Sequence, residues 1–552
     1  MRAHHSRSPL IASFLVTIAF TGASFAAAAA PVSEAVDRAI TAKAATAKQP
    51  LAGPASDAEF LRRAWLDFGG TIPTAEEARK YFADKDAGKR AKLIDQLIAS
   101  PRFAERMGEA FHIQLMERNG NSLEWRSYLT ESFRANKPWD QMAREIISPD
   151  FKDEKLRGAG YFITRRLEKV GQQDTDYPGL TRDTGRLFMG VDLQCCQCHK
   201  HLTVSDYKQA DFSGLFMAFQ NAKLQKPGGD YRTDWVAEGM VAKKYEFVSV
   251  LSSAKGATGP RVPLGKEVEI PTLAKEEQWI VPPDTKGKKA GIPRFSPLKE
   301  IAERLASPEN PFFARNIANR IWFHLMGRGL VEPLDLMHSE NPASHPELFD
   351  LLAQEMTAHK FDVKWLLREL ALTQAYQRGS VIPPGAKDPP EDVFSVAKER
   401  PLSAEQLARA FLVATGEHER VAEGKGWEGI EGTKYSQKEF EKAFTAAFAN
   451  EAREPELAVN PTLRSALFLR NNELVLWSLQ RRTGNLIDRV AAMSDPAQIA
   501  DEIYTAILTR PPTEDEKSDV AKYLTKHAAD CEKALGHYAW AMLSSIEFFA
   551  NH

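Results

Sequence analysis

The amino-acid sequence predicts a mainly α protein in which two helical domains are joined by a short β-containing or irregular insert. Two observations carry this prediction. Helix-start signals recur along the chain, and each precedes an apolar stripe that repeats about every 3.6 residues. Residues 226–297 break the pattern, because Gly- and Pro-rich turns there separate short β-prone segments. We therefore expect helical domains at 57–225 and 298–552, since 552 residues are too many for one hydrophobic core.

Residues 1–30 have the pattern of a secretory signal peptide. Arg2 and Arg7 precede an apolar stretch at 9–26, and a run of alanines ends at Ala30. A membrane anchor is the alternative, but Thr, Ser and Gly interrupt the stretch, which falls short of the roughly 20 residues that span a bilayer. We expect cleavage within 26–30 and a periplasmic or secreted mature protein without an integral membrane span.

The elements of the mature chain follow in order. Residues 31–56 are rich in Ala, Lys and Thr, and we expect them to form a flexible leader. We expect helices to begin at residue pairs that can cap a first turn. These pairs are Thr74 with Glu77, Ser100 with Pro101, Ser344 with Glu347, Ser403 with Gln406 (its helix closed by Gly416), and Thr513 with Glu516. Within the insert, 245–251 and 268–273 are predicted as strands.

Two distant segments share one pattern. Residues 61–82 and 503–524 both run from a helix through a tight turn to Pro-Thr-x-x-Glu or Thr-x-x-Glu and a second helix. Either a duplicated helical pair or independent use of the same turn chemistry explains the similarity, and neither interpretation yields a function.

Charge and cysteine content exclude two classes of protein. The chain has 72 Lys and Arg against 74 Asp and Glu; loss of Arg2 and Arg7 leaves 70 against 74, a net charge of −4. So balanced a chain has no overall electrostatic footprint for nucleic acid. Four cysteines in 552 residues exclude a disulfide-dense scaffold. Three of the four lie together, and this clustering needs a chemical reason.

The cluster LQCCQCHKH, residues 193–201, contains Cys-x-x-Cys-His, the c-type haem attachment motif. Cys195 and Cys198 would bond two vinyl groups on one edge of a haem c, while His199 would ligate its iron. Covalent haem attachment takes place outside the cytoplasm, in agreement with the signal peptide. The sequence therefore favours one haem c bound through Cys195, Cys198 and His199.

Three alternatives stay open for the same residues. Cys195 and Cys198 could form a redox-active or structural disulfide. A Zn or Cu site could use these cysteines, His199 or His201, and the distant Cys531. The thiols could also simply be buried. Cys196 is an awkward third thiol for haem attachment, and a disulfide with Cys531 would explain it.

An electron-transfer haem needs a sixth iron ligand, commonly Met or His. The candidates are Met189, Met217, His112 and Met116, although Met at helical spacing more often fills a core. The residues themselves do not select one of them.

A second group of polar residues lies in the carboxy-terminal half. Asn316, Arg320 and His324 are four apart and share one helix face. The face and the loop after it could line a pocket for a sugar, sulfate or carboxylate, or form a hydrogen-bonded network of purely structural role. The group comprises Asn316, Asn319, Arg320, His324, Arg328, Asp335, His338, Glu340, Asn341 and His345.

The segments TGRLFMGVDLQCCQCHKH and DYKQADFSGLFMAF resemble the planctomycete-type cytochrome-c-like domain. The segments NPFFARNIANRIWFHLMGRGLVEPLDLMHSENPASHPELFDLLAQEM and RPLSAEQLARAFLVATG resemble its usual companion, the planctomycete secreted domain. The resemblance covers most of 57–552. It implies a secreted protein of unknown function, with haem on Cys195 and Cys198 and with His199 as axial ligand. The chain departs from the family at Cys196 and at HKHLTVSDY. In the second segment the family usually has a Phe-Asp pair, for which Asp206 could substitute in this chain.

The leading hypothesis is a single-haem cytochrome-like protein that exchanges electrons with an extracytoplasmic redox protein or oxidoreductase. The alternative is a secreted binding or scaffold protein with a structural disulfide or metal site, linked to extracellular polysaccharide processing. A hydrolase that uses the region from His324 to His345 ranks last, because the chain has neither a nucleophile elbow nor an HExxH-like motif.

Overall fold

The protein is described from a computed structural model, which covers residues 31–284, 286, 289–384, 386, 389–422, 437–453 and 462–552. The predicted signal peptide at 1–30 lies outside the described residues. Helices account for 55% of the chain, so the predicted mainly α class is confirmed. No helix in the described ranges has the length and apolar character needed to cross a membrane.

The helices up to the insert begin with a segment that was expected to be a leader. They are α1 Val32–Thr46, α2 Asp57–Ala64, α3 Ala75–Ala83, α4 Lys89–Ala99, α5 Pro101–Met116, α6 Leu123–Arg134, α7 Trp139–Ile147, α8 Tyr161–Leu167, α9 Tyr177–Met189 and α10 Gln209–Gln220.

The helices after the insert continue to the last residues of the chain. They are α11 Pro297–Leu305, α12 Pro311–Met326, α13 Pro346–Ala358, α14 Val363–Ala371, α15 Ala404–Thr415, α16 His418–Ala422, α17 Gln437–Phe448, α18 Leu463–Asn471, α19 Glu473–Ser478, α20 Leu486–Ala491, α21 Pro496–Leu508, α22 Glu514–Lys526, α23 Cys531–Leu543 and α24 Ile546–Phe549.

The prediction of a flexible leader at 31–56 is wrong over α1. Val36 and Ile40 are fully buried, and the helix packs on α13 and α14. Asp37 accepts hydrogen bonds from the backbone N–H groups of Gln374 and Ala375. The apolar residues of α1 recur every four positions and form one stripe, which the Ala-rich composition obscures.

Within the part of the chain that the structure describes, the strands form four separate two-stranded antiparallel sheets. They pair β1 Ala222–Gln225 with β2 Trp235–Glu238, β3 Tyr245–Val248 with β4 Lys255–Thr258, β5 Trp279–Val281 with β6 Ile292–Pro293, and β7 Arg400–Pro401 with β8 Ala550–Asn551. The β-containing insert is thus confirmed, and 245–251 contains β3. Residues 268–273 are irregular, so the second predicted strand is wrong; its Pro271 lacks the N–H that a ladder needs.

Most predicted helix starts have the expected capping geometry. Reciprocal capping boxes form at Thr74, Ser403 and Thr513, and Pro101 occupies the first turn of α5. The prediction at Ser344 is wrong by one residue. His345 occupies the N-cap position of α13, without a capping hydrogen bond from its side chain, because Pro346, with its fixed φ, takes the first helical position.

Two hydrophobic cores run through the molecule, and the insert does not separate them. The first core joins α1–α10 to α11–α14 and ends at Phe394. The second is built from α15–α24, together with Leu66, Ile72 and Ala75 from the amino-terminal half. The boundary between the two cores therefore lies near residue 400. The segment 66–75, although it belongs to the amino-terminal half, contributes to the second core.

A stack of three aromatic rings joins the two halves in the first core. Trp139 of α7 lies between Phe188 of α9 and Phe313 of α12, with centroid distances of 5.7 and 6.3 Å and nearly parallel planes. Since all three side chains are almost fully buried, the helices before and after the insert share this core.

The two similar segments at 61–82 and 503–524 have the same local structure. Gly70 and Thr509 both adopt left-handed conformations, at φ 69° and 61°, four residues before the capping residues Thr74 and Thr513. The helices that carry them also contact each other, because Arg79 of α3 binds Asp501 and Glu502 of α21, just before the second segment.

Candidate functional site

The Cys-x-x-Cys-His motif forms a single helical turn. Residues Cys195–Gln197 are a 3₁₀ turn that continues to His199, since the N–H groups of Cys198 and His199 both approach the Cys195 carbonyl oxygen at 3.4 and 3.3 Å. Cys195 and Cys198 are exposed free thiols. The two thiols that haem attachment would use are therefore accessible from solvent and not bonded to each other.

Cys196 has a different role from its two neighbours. Its side chain is fully buried in the first core, and burial raises the pKa of its thiol to about 12. No disulfide joins it to Cys531, which is an exposed free thiol at the start of α23, so the pairing expected as an explanation for Cys196 is wrong. Cys196 packs as a small apolar residue and stays protonated.

The ring of His199 is oriented by its neighbour. Its Nδ1 lies 2.6 Å from the carbonyl oxygen of Lys200. A carbonyl oxygen can only accept, so Nδ1 must carry the proton, and Nε2 of the neutral ring keeps its lone pair. Histidines that ligate metals typically donate their other ring N–H to a carbonyl or carboxylate in this way. The tautomer of His199 thus suits ligation through Nε2.

The two histidines nearby have the opposite tautomer. Nδ1 of His201 accepts from the Val204 N–H at 3.0 Å, and Nδ1 of His338 accepts from the Glu340 N–H at 3.2 Å. Both neutral rings therefore carry their proton on Nε2. The rings of His201 and His338 both meet the ring of Tyr207 edge-on, at centroid distances of 6.0 and 5.7 Å. They act as packing partners of a buried tyrosine and are unsuited to ligation through Nε2.

The alternative of a Zn or Cu site finds no assembled ligand set. Across the described ranges, no group of three or more His, Cys, Asp and Glu side chains is arranged to hold a metal ion. Cys531 opens α23, which packs in the second core, whereas the cluster adjoins the first.

An apolar surface lies directly beside the motif. We call Leu202, Val248, Val250 and Leu251 the hairpin patch; three of them belong to β3 or the turn that follows it. The Val250 N–H donates to the carbonyl of Cys198 at 3.0 Å, which fixes the turn against the motif. Leu202, Val250 and Leu251 are 69%, 69% and 63% exposed. A cluster of exposed apolar side chains at a reactive motif is typical of a binding surface.

These features fit a covalently attached haem. The motif offers two free exposed thiols at the required spacing, an imidazole with its lone pair on Nε2, and an exposed apolar turn that is hydrogen-bonded to the backbone of the second cysteine. Cys195, Cys198 and His199 would hold the group, and the hairpin patch would contact its apolar surface.

The four candidates for a sixth ligand all lie in the interior. His112 accepts from Trp125 Nε1 at 3.1 Å through its Nδ1, and burial lowers its pKa to about 4. The sulfurs of Met116 and Met189 accept from Arg166 and Asn310, and Met217 is also buried. These contacts support a structural role for the four residues.

Asp206 ties the motif loop to the carboxy-terminal half. Its carboxylate accepts hydrogen bonds from the backbone N–H and the hydroxyl of Ser339, at 2.7 and 3.0 Å. Tyr207 makes a parallel link, because its hydroxyl donates to the Met337 carbonyl at 2.7 Å. In this chain Asp206 therefore links the motif loop to the carboxy-terminal half.

A partly enclosed cavity of about 320 Å³ opens between the two halves. Arg320, His324 and Asp335 of the predicted polar group line it, together with Arg186 from the TGR segment of α9 and Glu117 after α5. Of the two alternatives for the polar group, a pocket is therefore present for these three residues, and residues from both halves form it. We refer to it below as the cleft.

The rest of the polar group has structural roles. Asn316 donates to the Leu187 carbonyl at 2.8 Å, and Asn319 accepts from the N–H groups of Leu330 and Val331. Asn341 donates to the Leu336 carbonyl at 2.9 Å. Arg328 pairs with Glu391, Glu340 donates its N–H to His338, and His345 occupies the N-cap position of α13.

Arg186 is the centre of an ion-pair network in the cleft wall. Its guanidinium contacts Glu117 at 2.6 Å, Asp335 at 2.9 Å and Asp183 at 3.1 Å. Burial opposes its charge, but these carboxylates outweigh burial and raise its pKa. Arg320 binds Asp335 from the opposite side. The network fixes α9 and α12 to the loop that carries Asp335.

His324 faces the cleft as a neutral ring. Burial is the main cause that lowers its pKa to about 3, and the charge of Arg106 adds to the effect. Its Nε2 is buried and makes no hydrogen bond within the protein. Arg106, Gln114 and Arg400 also line the cleft. These three residues could not be identified from the sequence, because they come from distant segments with no local motif.

Comparison with known proteins identifies two domains. The profile PSCyt2, a protein of unknown function (DUF1549), matches residues 35–224, and the profile PSD1, a protein of unknown function (DUF1553), matches residues 299–524. No curated protein and no solved structure matches the chain. The matched ranges follow the predicted order and leave the β-containing insert between them, so this chain belongs to the proteins that combine a PSCyt2 domain with a PSD1 domain.

Proposed function

We propose that the protein is a periplasmic or secreted c-type cytochrome-like protein that transfers electrons through one haem. Cys195 and Cys198 would bear the haem through thioether bonds, and His199 would ligate its iron. The bound group would supply one-electron redox chemistry. The observation that carries the proposal is the tautomer of His199, because its 2.6 Å contact with the Lys200 carbonyl leaves Nε2 ready for a metal.

The surface around the motif supports electron exchange with another protein. Cys195 and Cys198 are exposed, so a haem edge there would lie at the surface, within reach of a partner. The hairpin patch would shield one side of the group and offer an apolar contact area. We propose an extracytoplasmic redox protein or oxidoreductase as partner.

A second candidate function is a secreted binding protein. The observation that favours it is the cleft, whose walls come from both halves of the chain and are fixed by the Arg186 network. The two functions are compatible, because the segment from Asp335 to Ser339 contacts both the cleft and the motif loop.

Expression in cells with haem-attachment machinery tests the proposal. The full-length protein is separated on a denaturing gel and stained for haem peroxidase activity, beside Cys195→Ser and Cys198→Ser. We expect a stained band for the wild type, a weaker band for either single variant, which keeps one of the two thiols, and no band when both substitutions are combined. Cys531→Ser is the matched control and should stain like the wild type. An unstained wild-type band, with folded protein recovered in the periplasm, would refute haem attachment.

A further inference from the structure

We infer that the cleft binds a neutral polyhydroxylated ligand of about the size of a monosaccharide. The inference goes beyond the proposed haem function and does not depend on it. It stands on three properties of the cleft: unpartnered polar atoms, cationic side chains that are all paired with carboxylates, and apolar walls.

Four buried polar atoms in the cleft wall have no hydrogen-bond partner within the described structure. They are Arg106 Nε, Gln114 Nε2, His324 Nε2 and Asn551 Oδ1. Arg106 is 9% exposed and Asn551 4%. An unsatisfied buried donor or acceptor costs about 1–3 kcal/mol. Four such atoms around one cavity indicate that a ligand completes their hydrogen bonding.

The four atoms form a mixed set. Arg106 Nε and Gln114 Nε2 can only donate, Asn551 Oδ1 can only accept, and the neutral ring of His324 can do either at Nε2. Hydroxyl groups both donate and accept, so neighbouring hydroxyls on one small molecule can satisfy all four atoms. A sulfate or carboxylate, which offers acceptors alone, would leave Asn551 Oδ1 without a donor.

The cationic side chains of the cleft wall give a second reason why an anion would not bind there. Each lysine and arginine that lines the cleft already has a carboxylate partner. The pairs are Arg106–Glu109, Arg118–Glu405, Arg186–Glu117, Arg320–Asp335, Lys398–Glu391 and Arg400–Asp67. An anionic ligand would have to displace a protein carboxylate from a formed ion pair, whereas a neutral ligand leaves every pair intact.

Size and wall chemistry agree with a sugar ring or a cyclic polyol. The cavity volume of about 320 Å³ lies at the small end of ligand pockets. The rings of Phe111, Phe323 and Phe448 belong to its lining. Such apolar faces can contact the C–H groups of a sugar ring while the polar atoms bind its hydroxyls.

Saturation-transfer NMR and calorimetry on the purified full-length protein test the inference. The neutral probes are glucose, galactose, N-acetylglucosamine and myo-inositol, and the anionic probes at equal ionic strength are glucuronate and sulfate. We expect saturable binding of at least one neutral probe and no binding of sulfate. Failure of all four neutral probes at tens of millimolar, or binding of sulfate alone, would overturn the inference.

The variant Gln114→Met gives a more specific test of the cleft. It removes the unpartnered amide nitrogen and replaces the side chain with one of similar volume. We expect at least a tenfold weaker affinity for the bound probe, with unchanged or higher thermal stability of the ligand-free protein. Ser395→Ala is the matched control, because its buried hydroxyl is also unpartnered but lies outside the cleft. It should leave probe affinity unchanged. Equal affinities for Gln114→Met and the wild type would overturn the assignment of the cleft.

Discussion

Nδ1 of His199 lies 2.6 Å from the carbonyl oxygen of Lys200, the residue that follows it in the chain. This contact sets the ring apart from those of His201 and His338, whose Nδ1 atoms accept from backbone N–H groups. Three histidines thus lie near the cysteine cluster, and in one of them the contact with the backbone leaves the lone pair on Nε2, the atom that would ligate iron in our proposal.

His199 and His201 should therefore respond differently to substitution. We expect His199→Gln to reduce haem attachment and to remove the absorption bands of histidine-ligated iron from any haem that remains. His201→Gln is the matched control, and its spectrum should equal that of the wild type. Both are measured by visible absorption of the purified protein. A changed spectrum in His201→Gln with a normal one in His199→Gln would make His201 the ligand.

The hairpin patch should influence the redox potential of the haem. Val250 is 69% exposed, and its N–H binds the Cys198 carbonyl. A carboxylate at this position would stabilise the ferric state, so we expect Val250→Glu to lower the midpoint potential in a potentiometric titration. Ile546→Glu, at an 86% exposed position on α24 in the other core, should leave the potential unchanged. Equal potentials for Val250→Glu and the wild type would count against haem beside the patch.

The elements with strong local signals could be predicted from the sequence. The capping boxes at Thr74, Ser403 and Thr513 depend on hydroxyl and carboxyl side chains three residues apart, so a short window contains the whole interaction. The helical turn at Cys195 and the irregular insert are local features of the same kind. Helix α1 was not predicted from the sequence, because burial of Val36 and Ile40 against distant helices stabilises it.

The cleft and the division of the cores could be predicted only in part. Arg320, His324 and Asp335 were recognised as a polar group because they lie close together in sequence. Their partners Arg186 and Glu117 come from another domain, and only tertiary packing brings them near. The same holds for Trp139 and Phe313, whose stacking joins the two halves in one core.

The Arg186 network should contribute measurably to stability. Arg186→Met would leave Glu117 without its cation in a half-buried site. We expect a loss of about 3 kcal/mol in the free energy of unfolding, near the lower end for a broken buried pair because Arg186 is 22% exposed. Arg481→Met removes an exposed pair with Asp488 and should leave the free energy of unfolding nearly unchanged. Chemical denaturation measures both, and equal losses would contradict a special role for Arg186.

Acid should destabilise the protein through its buried histidines. Burial lowers the pKa of His112 to about 4, of His324 to about 3 and of His345 to about 4. Each is neutral in the native state but binds a proton on unfolding once the pH falls below about 6.5. Their stabilisation is therefore complete above pH 6.5 and declines toward pH 4, and these three rings alone add about three protons to the uptake on unfolding near pH 5.

Denaturant titrations at pH 7, 6 and 5 measure this uptake. His345→Gln should reduce the proton uptake by about one. Stability that stays constant between pH 7 and 5 would contradict the neutral burial of these rings.

Mass spectrometry of the protein secreted by cells with haem-attachment machinery tests the central claim most directly. The account predicts an intact mass increased by one haem, and after digestion the added mass on the peptide that contains Cys195 and Cys198. Cys196→Ala should carry the same addition, because Cys196 is buried away from the exposed thiols. An unmodified mass for folded wild-type protein, with both cysteines free or joined to each other, would contradict the account.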